Sequence, residues 1–252
     1  MKTKATHITR RRAMVAGLAS VGGVALWRYP NDLPPTYGSL LRAADNVTYA
    51  AHRAVLPQQA LVKEYNEADI TSFPAIGTTD PGGTGKRDAE AYRRMLSHGF
   101  ADWRLSIEGL VAKPQTFSLA QLKQLPSRTQ ITRHTCEEGW TAIAKWTGVA
   151  LSVVLDTAGL LPAARYVQMN SLDDFANSID LFDALHPQTI LAYGMNGTDL
   201  PLQHGAPLRL RVERQLGYKG LKYLHRIVVT HEFDDGGTKG DLASGWSWYT
   251  GI

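Results

Sequence analysis

The pattern that most constrains this chain is the alternation at 207–213, Pro-Leu-Arg-Leu-Arg-Val-Glu. Leu208, Leu210 and Val212 recur at every second position against Arg209, Arg211 and Glu213. A period of two gives one apolar face to a strand and scatters around a helix. Tyr223–Phe233, Thr129–Thr135, Arg165–Asn170 and Trp103–Gly109 read as further strands, the last with Leu105 and Ile107 on one face. Helical spacing appears at 87–98, and at 39–65 through Leu40, Leu41, Ala44, Ala51 and Val55. Ser118-Leu119-Ala120-Gln121 forms a capping box, which predicts a helix over 119–125 stopped by Pro126. Residues 149–159 suit a buried helix ending near Gly159, and Asp173–Leu185 reads as another. Thr78–Gly85, with its Pro and Gly residues, is a loop. Strands and helices mix without regular βαβ alternation, so the expected class is α+β.

The charge is unevenly placed. Of 27 Lys and Arg, six lie in residues 1–28, which hold no acid; the remaining 21 stand against 23 Asp and Glu, a net −2. The body is mildly acidic, which excludes a nucleic-acid footprint. Arg10-Arg11-Arg12 precede a short apolar run from Ala13 to Trp27, too short for a membrane span. That arrangement reads as an export signal of the twin-arginine type, against the plainer alternative of a basic tail with a short helix. No A-x-A cleavage site follows, so retention of the segment as an anchor stays open. The expected organisation is a signal at 1–28, an extension with a Pro-rich linker and helices at 29–98, and a catalytic domain at 99–252. An exported chain with one cysteine forms no internal disulfide.

That cysteine stands at the end of a predicted strand, in Arg-His-Thr-Cys-Glu-Glu-Gly-Trp (133–140). Glu137 and Glu138 beside Cys136 disfavour a free thiolate, whereas a metal would stabilise it. Soft thiolates suit redox metals. Three readings stand at this point: a metal ligand, a buried structural cysteine, and a Cys–His hydrolase using His134. Downstream, Gly217-Tyr218-Lys219-Gly220-Leu221-Lys222 is either an ordinary turn or an anion cradle of backbone amides and cations. His204 is either a ligand donor or a satisfied loop histidine. Trp246-Ser247-Trp248-Tyr249 can line a substrate mouth, form an electron-transfer docking face or pack at the domain edge.

Taken together, Cys136–Trp140 with Trp146-Thr147-Gly148, then His204-Gly205-Ala206-Pro207-Leu208-Arg209-Leu210, then Gly217–Lys222 resemble, in that order, the molybdopterin-binding core of the sulfite oxidase superfamily. Within it the chain is most similar to the periplasmic methionine-sulfoxide reductases, over roughly residues 70–252. The resemblance implies the sulfite-oxidase-type fold, mixed sheets with peripheral helices, and one molybdenum–molybdopterin. Cys136 would ligate the metal. Phe73, Ser171, His204, Arg209, Gly220, Leu221 and Lys222 would contact the pterin and its phosphate. Glu138 would deliver protons, since removal of an oxygen atom as water consumes two. The resemblance also implies a membrane b-type cytochrome as electron partner; the sequence has no Cys-x-x-Cys-His haem motif or iron–sulfur cysteine cluster of its own.

There are departures. Thr71-Ser72-Phe73-Pro74-Ala75 keeps only Phe73 of that branch's Asn-Asn-Phe-Tyr-Glu run, and His204 replaces its Asn. Sulfite oxidases place arginines soon after the ligand cysteine; here Glu137 and Glu138 would repel an anion. The expected substrate is therefore a neutral S- or N-oxide such as methionine sulfoxide. A chain ending at Ile252 is also expected to lack the sulfite oxidase dimerisation domain. The alternatives are a sulfite-oxidase-like dehydrogenase and a non-catalytic exported binding module.

Overall fold

A computed structural model describes residues 40–85 and 88–252, with side chains from residue 43. The expected signal and the linker through residue 38 lie outside the described residues. Contacts divide the chain into two compact units, one through Pro57 and one from Gln58 to Ile252. In the first, α1 spans Leu40–Val55, as the spacing at its start predicts.

The second unit holds α2 (Ala89–Ser97), β1 (Arg104–Gly109), β2 (Gln115–Ser118), α3 (Leu119–Gln124), β3 (Ser127–Thr135), β4 (Thr141–Ala150), α4 (Leu151–Ala158), β5 (Tyr166–Ser171), β6 (Ala176–Asp180), α5 (Leu181–Ala184), β7 (Ile190–Met195), β8 (Thr198–Asp199), β9 (Arg209–Arg211) and β10 (Leu224–Thr230). They form two five-stranded sheets. One runs β2-β1-β10-β5-β6; the other runs β3-β4-β7-β8 with β9 also on β7. Among the described residues only β1 and β10 pair in parallel. The α+β expectation holds.

Local sequence accounts for most boundaries. Ser118 Oγ accepts from the Gln121 amide at 3.2 Å and Gln121 Oε1 from the Ser118 amide at 2.8 Å, the reciprocal cap expected for α3. α4 ends at Gly159, whose φ of 72° favours glycine. It starts at Leu151 because Val149 and Ala150 belong to β4.

The helix expected at Asp173–Leu185 is wrong. Ser171 Oγ accepts from the Phe175 amide at 3.1 Å, Ser171 N donates to Phe175 O at 2.9 Å, and Asp174 takes a φ of 73°. That turn reverses the chain, and β6 lies antiparallel on β5 with all five residues buried. Side chain–backbone bonds of Ser and Asp compete with helix at such positions. Only Leu181–Ala184 is helical, capped by Asp180, which accepts from the Asp183 amide at 3.0 Å.

The alternating segment is strand only over Arg209–Arg211, and both its faces are buried: Arg209, Arg211 and Glu213 are as enclosed as Leu208, Leu210 and Val212. The apolar residues join a large core with Leu105, Ile107, Leu155, Val167, Met169 and Ile227. A smaller cluster of Ala144, Trp146, Ile190, Ala192, Met195 and Leu200 packs against Phe73. Buried arginines need partners, and those partners shape the site.

Candidate functional site

β3 and β4 pair in register from Ser127↔Val149 to Thr135↔Thr141, leaving Cys136–Trp140 as the tip of the hairpin. The tip is closed by Cys136 N donating to Trp140 O (2.9 Å) and Gly139 N to Cys136 O (3.1 Å), with Gly139 at φ 91°. Cys136 is 3% exposed and its thiol donates to Glu137 Oε2 at 3.5 Å. Burial, then the nearby carboxylates, push that thiol up to about 11, against a backbone amide that favours the thiolate. As a free nucleophile it is disarmed; a bound metal would invert the balance.

The hairpin tip opens on a cleft of about 330 Å³ whose lining includes Phe73, His134, Cys136, Glu138, His204 and Arg209. Its far wall comes from two segments zipped together: Leu210 N donates to Leu221 O (2.8 Å), Tyr223 N to Gly205 O (3.2 Å) and Leu224 N to Leu208 O (2.9 Å). One segment carries His204 and Arg209, the other Gly220, Leu221 and Lys222. Cys136, Glu138, Phe73, His204, Arg209, Gly220, Leu221 and Lys222 thus all line one cleft. Ser171 does not. Its hydroxyl donates to Asp173 within the β5–β6 turn, beside a smaller cavity lined by Asn170, Asp174, Phe175, His225, Arg226 and Lys239.

The cations of the cleft serve its architecture as well as its charge. Arg209 Nη1 and Nη2 donate to the carbonyls of His204 (3.0 Å) and Gly220 (2.9 Å), tying both segments, while buried Arg209 Nε has no partner among the described residues. Burial, then Arg211, lowers Arg209 to about 9. Lys222 Nζ donates to the carbonyls of Ile76 (2.9 Å), Thr78 and Gln203 (3.2 Å), so it braces the Phe73–Thr78 wall; burial, then Arg209, lowers it to about 8. Burial, reinforced by Arg209 and Lys222, lowers His204 to about 4. Burial, reinforced by Arg211 and Arg209, takes His134 to about 2. Both imidazoles are therefore neutral at ordinary pH. At Gly220 an added Cβ would sit 3.1 Å from Leu210 O and 3.2 Å from Arg209 Nη2, so a side chain there would crowd the Arg209 clamp.

Phe73 is the hub of the aromatic lining, its ring 5.0 Å from His134, 5.7 Å from Trp140, 5.4 Å from Trp146 and 5.5 Å from His204. Phe175 (40% exposed) and Trp246 (37%) also line the cleft and retain solvent contact, whereas Trp248 and Tyr249 are core. The C-terminal segment that carries Trp246 is fastened over the Gly217 turn. Tyr218 Oη donates to Ser247 O at 2.6 Å, Leu216 N to Thr250 O at 3.0 Å, and the Tyr218 and Trp246 rings lie 4.9 Å apart. Lys219 does not face the cleft. Fully buried, it donates to Asp241 Oδ2 at 2.5 Å and Ser178 O at 3.0 Å. Sequence reasoning missed Asp241, Gln203 and Phe175, which no local pattern marks, and considered His134 only as a hydrolase partner of Cys136.

A soft thiol at one end, Lys222 and a buried guanidinium N–H without a partner among the described residues at the other, and a cavity of ligand size between them fit a metal carried on an anionic organic cofactor.

Comparison with known proteins points the same way. The family model described as the oxidoreductase molybdopterin binding domain matches residues 94–237. A protein named provisionally as protein-methionine-sulfoxide reductase subunit YedZ1 of Azospira oryzae is 40% identical over 151 residues, 60% of this chain and 56% of its own length. The protein-methionine-sulfoxide reductase catalytic subunit MsrP of Ralstonia nicotianae is 33% identical over 237 residues, 86% of this chain and 67% of that protein. The chain thus spans just over half of the first relative and two thirds of the second. The crystal structure of the sulfane dehydrogenase SoxCD from Paracoccus pantotrophus superposes with a TM-score of 0.50 at 26% identity, covering 52% of this chain and 39% of that one.

Proposed function

The chain belongs to the family of molybdopterin-binding oxidoreductase domains and has the sulfite-oxidase-type fold, and from that premise we propose that it is an exported enzyme acting on a neutral S- or N-oxide such as methionine sulfoxide. The observation that carries this reading is the single cleft joining Cys136 to the Arg209–Lys222 wall. Molybdenum–molybdopterin, when bound, supplies the two-electron oxygen-atom transfer chemistry; the protein supplies binding, orientation and protons.

Cys136 would hold the metal. Arg209 Nε would receive the pterin's anionic end, with Gly220, Leu221, Lys222 and His204 beside it; the Gly220 and Leu221 amides already donate to Gly217 O and Lys219 O. Phe73 fixes the aromatic wall between them. Glu138 is exposed at the hairpin tip, where its Oε2 accepts from Trp140 Nε1 at 3.3 Å. That position suits a carboxyl that passes protons from solvent to a departing oxygen.

The substrate class follows from charge. Glu137 touches the Cys136 thiol and Glu138 lines the same wall, so an anion approaching the cysteine end meets two carboxylates. The solvent-facing rings of Phe175 and Trp246 suit a methyl sulfoxide, because sulfur and methyl groups pack well on aromatic faces. Residues 1–28 would direct twin-arginine export to the periplasm, possession of a cleavage site deciding between release and anchoring. Electrons would come from a membrane b-type cytochrome.

The test is expression in a host competent for the cofactor, followed by metal analysis and two assays. We expect one molybdenum per chain and oxidation of a reduced dye by methionine sulfoxide. Protein without molybdenum would sink the enzymatic reading. Ferricyanide reduction by sulfite, without sulfoxide turnover, would overturn the substrate class.

A further inference from the structure

We propose that His134 is a fixed hydrogen-bond donor to an oxygen acceptor bound in the cleft, its tautomer set from behind by Arg211 and Glu213. Arg211 Nη1 lies 2.7 Å from His134 Nδ1. A guanidinium has donors and no acceptor, so Nδ1 must present its lone pair and Nε2 must carry the hydrogen. The assignment needs no statement about charge.

Arg211 cannot turn away to relieve the constraint. Its Nε and Nη2 make a two-point contact with Glu213, at 3.1 Å to Oε1 and 2.7 Å to Oε2. Glu213 Oε1 also accepts from Gln130 Nε2 at 3.0 Å, and that amide donates to Gln188 O at 3.0 Å. Arg211, Glu213 and Gln130 are 3%, 3% and 1% exposed. The Arg211 guanidinium also lies 4.5 Å from the centre of the Trp146 ring. These contacts form a buried brace of charge-assisted bonds, ending on the Nδ1 edge of one imidazole.

The other end of that imidazole lines the cleft, held between Phe73 and Trp140 at 5.0 and 5.4 Å. A Cβ on Gly217 would fall 2.3 Å from Nε2 and Cε1, so the donor edge abuts the start of the Gly217–Lys219 turn. Among the described residues Arg211 is the ring's one hydrogen-bond partner. With no protein acceptor among the described residues, Nε2–H is left for a group that enters the cleft. The acceptor is the bound ligand: an oxygen of the pterin cofactor or of the substrate. His134 would then touch the ligand directly, and Arg211 and Glu213 are positioning residues.

The first test reads the tautomer by nitrogen-15 NMR on the full chain labelled at histidine and free of cofactor, with His134→Gln identifying the resonance. We expect the Nε2–H form alone. Loss of that preference is expected in Arg211→Met. An Nδ1–H ring in the wild type, or an unchanged ring in Arg211→Met, overturns the brace. The second test rests on the cleft holding the pterin, as proposed above, whereas the first does not, so the two can fail separately. It measures pterin content, KM and kcat in His134→Phe and His134→Gln, the glutamine amide offering an N–H near the Nε2 position. A tenfold or greater loss of pterin in Phe, restored by Gln, assigns the acceptor to the cofactor. Intact pterin with a tenfold change in KM or kcat, again restored by Gln, assigns it to the substrate. Variants that match the wild type in all three measurements would overturn the donor role.

Discussion

Removing the cation of the Lys219–Asp241 pair is the sharpest test of how the C-terminal segment is held to the cleft. Lys219 Nζ is fully buried and Asp241 is 5% exposed, at 2.5 Å from each other. Burial lifts the Asp241 carboxyl above its ordinary range even though Lys219 pulls it down, so desolvation already outweighs the attraction. Lys219→Met leaves that carboxylate enclosed without its partner. Breaking a buried pair in this way costs about 3–5 kcal/mol at neutral pH.

Lys219→Met/Asp241→Leu removes both charges. It leaves Ser178 O without its Lys219 donor, a residual cost of about 1–3 kcal/mol. The double variant is therefore expected to be more stable than Lys219→Met alone, and the cycle to return a coupling of about 2 kcal/mol.

The sign with pH is also fixed. Loss of the cation raises Asp241 further above its unfolded value, so the folded variant holds a proton that the unfolded chain has released. Its stability is then retained at low pH and falls as pH rises through the raised value. Urea unfolding between pH 4 and 8 reads all of this. Because Asp241 lines the cleft, retained pterin should drop in parallel. A Lys219→Met protein within about 1 kcal/mol of wild type at pH 7, or a cycle with no coupling, would show that the pair does not anchor the segment.

Cys136→Ser is expected to abolish turnover even where some pterin stays bound; full activity would refute the ligand assignment. Glu138→Gln should slow sulfoxide reduction and shift its pH profile, and an unmoved profile removes Glu138 from proton delivery. Gly217→Ala places a methyl 2.3 Å from the His134 ring, an overpacking cost of about 1–3 kcal/mol that a melting experiment detects as a lowered Tm; an unchanged Tm would mean that the imidazole is free to move. Lys222 loses its charge near pH 8, so retention of an anionic cofactor should be full below that pH and decline above it, as read by pterin left after dialysis. Lys222→Gln should bind more weakly and without that step.

The sequence made the elements with strong local signals readable: the capped α3, the Gly159 stop of α4, and the one-sided β1. It misled where tertiary pairing overrode local preference. Ala176–Asp180 has helical neighbours on paper, but the Ser171–Phe175 turn folds it back onto β5, and its burial on both faces erases the period-two signal. β7, buried along its whole length, was invisible for the same reason. Cys136, His204, Arg209 and Lys222, to which the family resemblance gave roles, all line the cleft. Ser171 was placed by analogy with a hydroxyl, and local geometry spends that hydroxyl on Asp173.

The alternation at 207–213 shows why the remainder was hidden. Read as a strand, it puts three charged residues on a face expected to meet water. The fold instead buries that face, and each charge must then find a partner within reach. Arg209 finds two carbonyls and clamps the cleft wall, its Nε left without a partner among the described residues. Arg211 finds Glu213 two residues on and His134 from a strand 77 positions away in sequence. Those partnerships follow from burial, which no periodicity reports. The same seven residues therefore specify a strand from their apolar half, and from their charged half a clamp on the cleft wall and a hydrogen bond to the His134 imidazole. Exchanging Arg211 for an apolar residue of similar size should leave the strand in place, because Leu208, Leu210 and Val212 still fill the core, while Glu213 loses its cation and His134 its fixed tautomer. Far-ultraviolet circular dichroism unchanged alongside a lost tautomer preference would separate the two roles; collapse of both together would mean that the strand depends on the brace.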